Sequence, residues 1–135
     1  MKRTSIPIFL GMLAILASTL ACGGSFSTAN IGDAWMASDE NGNNHTTVFS
    51  QDAVFYALVE LKNAPDETTL KAVWTVVDAE NTEKNLVINE TEATSGDGVL
   101  TFHLENTDYL WPIGKYKVDF YLNGTLDTTL EFEVQ

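Results

Sequence analysis

A chain of 135 residues is enough for one domain with a single core. It carries 19 acidic residues against seven basic ones, a formal charge of −12, and that balance repels phosphate backbones and anionic headgroups. Nucleic acid is therefore excluded as a partner, and the lone cysteine excludes an intramolecular disulfide.

The first element is a targeting segment. Lys2 and Arg3 form a positive start, residues 6–17 are an apolar run broken by Pro7 and Gly11, and Ser18, Thr19, Leu20 and Ala21 lead into Cys22, Gly23 and Gly24. A positive start, an apolar segment of this size and small residues before a processing point define a secretory signal. Residues 6–21 are 16 in number, short of the roughly 20 that a helix needs to span a bilayer. The Thr-Leu-Ala-Cys ending resembles the lipobox of bacterial lipoproteins, with Thr19 where the commonest form has Leu. The resemblance implies diacylglyceryl attachment to Cys22, cleavage before it and acylation of the new amino group. An ordinary secretory signal with a free thiol near the cut, or an uncleaved anchor, are the alternatives. A free thiol is a liability in an oxidising compartment, and lipidation accounts for a single Cys at this position. Several acyl chains hold a protein durably at a membrane. In a diderm host Gly23 after the Cys points to the outer membrane; in a monoderm host it carries no such information.

The expected organisation is a signal peptide over 1–21, a lipidated Cys22 and tether over 22–30, and one domain over 31–135. Beyond the signal, five lysines face all 19 acidic residues, a net charge of −14. Solubility is the simple account of this charge, and a basic partner or divalent cations are the sharper ones. The tether consists of small and polar residues, and its eight residues after Cys22 reach only about 26 Å when extended.

From residue 31 onward, period-2 alternation dominates and no segment has a 3.6-residue period, which predicts an all-β domain. The first strand covers 31–38 and carries Trp35; the turn-prone run 39–44 closes it, and a short piece follows at 46–49. In 53–62, Phe55, Ala57, Val59 and Leu61 share one face, with Tyr56 and Glu60 on the other. In 70–78, Leu70, Ala72, Trp74 and Val76 share a face. The more polar stretch 85–94 reads as an edge strand. Leu100, Phe102 and Leu104 alternate in 99–105, a loop containing Tyr109, Leu110, Trp111 and Pro112 follows, and 115–122 is the next strand. Asn123-Gly124 is a strong hairpin signal. It leads into a strand with Leu126, Thr128, Leu130, Phe132 and Val134 inward. Seven or eight short strands without a helix to cover a sheet call for an antiparallel sandwich or small barrel.

Two features resemble the immunoglobulin-like fold. Trp74 sits mid-strand where that fold places its buried Trp, and Gly114-Lys115-Tyr116-Lys117-Val118 is similar to the Gly-x-Tyr-x-Cys start of strand F. The stretch 111–124, ending in Phe132-Glu133-Val134, resembles the C-terminal hairpin of bacterial immunoglobulin-like domains on secreted proteins and lipoproteins. The resemblance implies a two-sheet sandwich of seven to eight strands and a tyrosine corner at Tyr116. It also implies packing of Val118 against Ala57 or Val59 in place of the inter-sheet disulfide.

Candidate chemistry is sparse. No Gly-x-Ser-x-Gly elbow exists, His45 falls in a turn and His103 on an outer face, so no enzymatic activity and no cofactor are expected. Asp39, Asn41 and Asn43 lie in an oxygen-rich run that could fold round Ca²⁺, but the run lacks the EF-hand order, and such clusters commonly form turns alone. Met36, His45 and His103 show no recurring spacing for copper. The main surface candidate is Tyr109, Leu110 and Trp111, with Trp35 and Tyr121 as further part-exposed aromatics. Loop aromatics on a sandwich stack on sugars or anchor a protein interface. In the structural alternative, Leu110 and Trp111 fold under the sandwich as a plug, with Pro112 fixing the corner. Lys115, Lys117, Asp119 and Tyr121 read as a solvated face. The expected function is a membrane-anchored, extracytoplasmic, non-catalytic binding or accessory module for an envelope protein or glycan. The alternative is a lipoprotein that binds a small ligand or Ca²⁺.

Overall fold

The computed structural model describes residues 28–135, so the signal segment and Cys22 lie outside the described residues. Eight strands form two sheets: β1 (Asn30–Ala37), β2 (Val48–Phe49), β3 (Phe55–Lys62), β4 (Thr68–Ala79), β5 (Leu86–Ser95), β6 (Gly98–Leu104), β7 (Gly114–Leu122) and β8 (Thr125–Val134). The smaller sheet has the order β1-β3-β6 and the larger β2-β8-β7-β4-β5. The polar strand β5 takes an edge of the larger sheet, where one row of backbone groups faces solvent and charged side chains are tolerated.

Every pairing is antiparallel except one. Val48 and Phe49 run parallel to Glu133 and Val134, a departure from the wholly antiparallel sandwich that alternation predicts. After β1 the chain turns back through 39–44, so that His45 bridges Ala37 in antiparallel sense and the Thr46 amide donates to the Met36 carbonyl, and it then crosses to the other sheet alongside β8.

The alternating residues of β3 and β4 meet between the sheets. Phe55, Ala57, Val59, Leu61, Leu70, Ala72, Trp74 and Val76 are all buried, together with Val118, Phe120, Phe132 and Val134. Phe55 is the hub of the aromatic core, with its ring centroid 4.6 Å from Trp111, 4.8 Å from Phe132, 5.0 Å from Phe49 and 5.7 Å from Tyr116. Such contacts add to the burial term ordinary to Phe and Trp. Val118, Ala57 and Val59 are fully enclosed, so packing occupies the place of the inter-sheet disulfide. Tyr116 is 1% exposed, and its hydroxyl donates to the Pro112 carbonyl at 2.6 Å, closing the tyrosine corner onto backbone four residues upstream.

Two register effects depart from simple alternation. A bulge in β8 puts Thr128 opposite Phe120 but Leu126 opposite Tyr121, so Leu126 turns to the outer face and is 52% exposed rather than inward. In β3, Leu58 points away from the core yet is buried, because loop 38–45 folds over the outer face of the smaller sheet. Asn123 and Gly124 both adopt positive φ, 49° and 86°, as a two-residue hairpin turn requires.

Strand directions give the sandwich two distinct ends. One end gathers the chain entry at Asn30, loop 63–67, the 96–97 link and the 123–124 turn. Thr28 is fastened there by its hydroxyl, which donates to the Asn63 carbonyl at 2.7 Å. The far end gathers loops 50–54, 80–85 and 105–113 and the C-terminal Gln135.

Candidate functional site

The link 105–113 carries the chain from β6 in one sheet to β7 in the other, so it must cross the far end of the core. Its middle is self-supporting: the Asn106 Oδ1 accepts from the backbone amides of Asp108 at 3.2 Å and Tyr109 at 3.1 Å. Its end is fastened to the loop before β3. The Trp111 amide donates to the Gln51 carbonyl at 2.8 Å, the Gln51 Nε2 donates back to the Trp111 carbonyl at 3.0 Å, and the indole Nε1 donates to Ala53 O at 2.8 Å.

The indole lies on Phe55 and is 7% exposed. Trp111 therefore leaves the candidate binding surface and serves as the plug of the far end, for a physical reason: its N–H has a buried acceptor and its ring fills the hub. Leu110 does not share that role. Tyr109 is 78% and Leu110 61% exposed, so these two residues project from the fastened loop. Beside them is a shallow cleft of about 280 Å³ lined by Asp52, Asn106, Thr107, Asp108, Tyr109 and Leu110.

The oxygen-rich run is built differently from a cation site. Asp39 turns its carboxylate onto its own loop, accepting from the Asn44 amide at 2.7 Å and the Asn43 amide at 3.1 Å. These bonds, that from Asn44 foremost, hold the Asp39 carboxyl below its ordinary range. Asn41 and Asn43 are exposed on the same turn, and among the described residues no group of three or more His, Cys, Asp or Glu side chains stands together. The loop's visible work is to cover the sheet. Gly42 is buried at φ 76°, its carbonyl accepts from Trp35 Nε1 at 3.0 Å, and a Cβ there would stand 2.5 Å from Leu58 Cδ2.

Register also brings together residues that sequence alternation kept apart. His103 lies opposite Tyr56, and His45 bridges Ala37 and stacks on Trp35 with centroids 5.3 Å apart. The two imidazoles thus lie on the outer side of the smaller sheet, engaged with rings. A signal for this patch is present in β3, where Leu58 interrupts the polar outer positions between Tyr56 and Glu60. On the larger sheet, the supposedly solvated Asp119 is only 7% exposed. It accepts from Thr129 Oγ1 at 2.5 Å and pairs with Lys117 Nζ at 3.4 Å, while Lys71 lies over the Tyr121 ring.

No protein-family model matches the chain, and no curated protein does. Among solved structures it is similar to an immunoglobulin-like protein from Pseudomonas aeruginosa, at 15% identity and a TM-score of 0.55, over 83% of this chain and 100% of that one. It is also similar to part of the Pseudomonas fluorescens alkylpurine DNA glycosylase AlkC, solved with DNA containing an abasic site analog. That match has 14% identity and a TM-score of 0.54, and it covers 81% of this chain but 31% of the glycosylase. The chain thus spans under a third of that enzyme's length, and likeness at such identity concerns architecture. Two sheets, the buried Trp74, the tyrosine corner and these neighbours together make the domain an immunoglobulin-like β-sandwich.

Proposed function

We propose that the chain is a membrane-anchored, extracytoplasmic lipoprotein whose sandwich is a non-catalytic binding or accessory module for an envelope protein or glycan. The observation that carries this is positional. The sandwich begins at Asn30, eight residues after Cys22, and the chain enters it at the end opposite Tyr109 and Leu110. A lipid on Cys22 would hold one end near the bilayer and present the other to the envelope space. The engaged imidazoles and the inward-turned Asp39 support a surface that binds through shape and apolar contact.

Intact-mass measurement on protein from its native membrane, wild type beside Cys22→Ser, tests the anchor. The expected result is residues 22–135 carrying a diacylglyceryl group and a further acyl chain, both lost in the variant. An unmodified mature chain would overturn the proposal.

A further inference from the structure

We infer that residues 106–110 form a docking tip for a protein whose apolar pocket is rimmed by lysine or arginine; this rests on the binding-module proposal and names its partner class. Tyr109 and Leu110 are the two most exposed large apolar side chains of the described residues, adjacent in sequence and on one loop. Other exposed apolar residues, such as Val99 and Leu126, stand on strands near the opposite end.

The tip is pre-organised. Asn106 orders the backbone under Tyr109, and the Trp111–Gln51–Ala53 bonds fix the residue following Leu110. A rigid base lowers the entropic cost of binding, and a Tyr on such a base has the character of an interface anchor.

Charge selects the partner. The only ionisable groups beside the tip's apolar pair in the cleft are Asp52, Asp108 and the Tyr109 phenol, and no basic residue lines it. Across an interface the complement of two carboxylates is a cationic rim. Anionic lipid is disfavoured by the same charges. A glycan is the weaker occupant because Asn106 Oδ1 is spent on two amides and the isobutyl group of Leu110 offers a hydroxyl-rich ligand no hydrogen bond.

The test places a benzophenone amino acid at position 109, 110, 99 or 126 of the full chain in its native membrane. Illumination should yield a protein adduct from 109 and 110 about tenfold above that from 99 and 126. The crosslinked partner peptide should carry Lys or Arg beside apolar residues. Asp52→Lys combined with Asp108→Lys should lower the yield from 110 about fivefold, with circular dichroism confirming the folded state. Adducts to lipid or glycan, or a protein adduct unmoved by charge reversal, would overturn the inference. Adducts from 99 or 126 alone would overturn the tip and leave the module proposal standing. No adduct from any position, with the Cys22 lipid intact, would overturn both.

Discussion

Tyr116→Phe removes one oxygen from the centre of the fold and leaves the ring against Phe132 and Trp111. What is lost is the 2.6 Å bond to the Pro112 carbonyl. A buried acceptor left without its donor costs about 1–3 kcal/mol, and because Pro112 is half-buried the lower half of that span, about 1–2 kcal/mol, is expected at neutral pH. The same hydroxyl supplies a pH signature. Burial pushes the Tyr116 phenol up to about 12 from 10.0. Below the unfolded value both states hold the proton, and pH has no effect through this group. Between the unfolded and folded values the unfolded chain ionises first, so stability falls as pH rises, and the fall ends above the folded value. The two-unit gap corresponds to at most about 3 kcal/mol. Phe lacks the proton, so the variant escapes this loss. Urea unfolding followed by tryptophan fluorescence, run on both proteins from pH 7 to 12, should show the wild-type advantage shrinking above pH 10 and vanishing or reversing near pH 12. Lysine titration affects both proteins alike and cancels in the difference. A wild-type advantage independent of pH would refute the buried tyrosine corner.

Trp74→Ala empties the centre of β4, where the indole is 1% exposed, and should cost about 3–5 kcal/mol in the same unfolding assay. A domain of this size has roughly 5–15 kcal/mol in total, so the loss is a third or more of the stability across most of that span. Gly42→Ala puts a Cβ against Leu58 at a positive φ, and a loss of about 1–3 kcal/mol in the unfolding midpoint analysis is expected, with Trp35 fluorescence shifting to the red as the loop lifts. Asp39→Ala should lower stability at neutral pH and flatten its acid limb. The Asp39 carboxyl is held low in the folded state, so its contribution is present above the ordinary value of 3.8 and is lost as pH falls through the lowered one. Acid titrations of parallel slope in the two proteins would count against that bond pair.

The sheets were legible in the sequence because burial on one face leaves a period-2 record. Phe55, Ala57, Val59 and Leu61, and Leu70, Ala72, Trp74 and Val76, are read correctly as the buried faces of their strands, and β5 betrays its edge position by its glutamates. Alternation fails where the backbone stops alternating. The bulge after Leu126 inserts one residue and turns that side chain outward, and nothing in Leu126-Asp127-Thr128 marks it. Alternation is also silent on what covers an outer face: Leu58 looks exposed until loop 38–45 is folded over it. At the candidate site, Tyr109-Leu110-Trp111 reads as one aromatic cluster, while the structure divides it after Leu110. Which of three neighbours is buried depends on acceptors at Gln51 and Ala53, nearly 60 residues upstream, and no local pattern encodes that.

A sandwich has two outer faces and two ends on which to place a site. On the smaller sheet, loop 38–45 buries Leu58 and Ala37 and occupies one side of Trp35 with His45. On the larger sheet, the Lys117–Asp119–Thr129 group satisfies itself at the centre; Val48 and Leu126 are exposed singly, and Leu86 and Val87 are exposed together at the start of the edge strand β5. The near end receives the chain at Thr28 and Asn30, where a bilayer-bound Cys22 would crowd any approach. The far end is remote from the entry, its loop 105–113 is bonded on both sides, and that loop carries Tyr109 and Leu110, the two most exposed large apolar side chains of the described residues. Trp111 fills the core at this end, and Tyr109 and Leu110, just before it on the same loop, stand outside it. Asp52 and Asp108 beside them bias what can settle there towards positive charge.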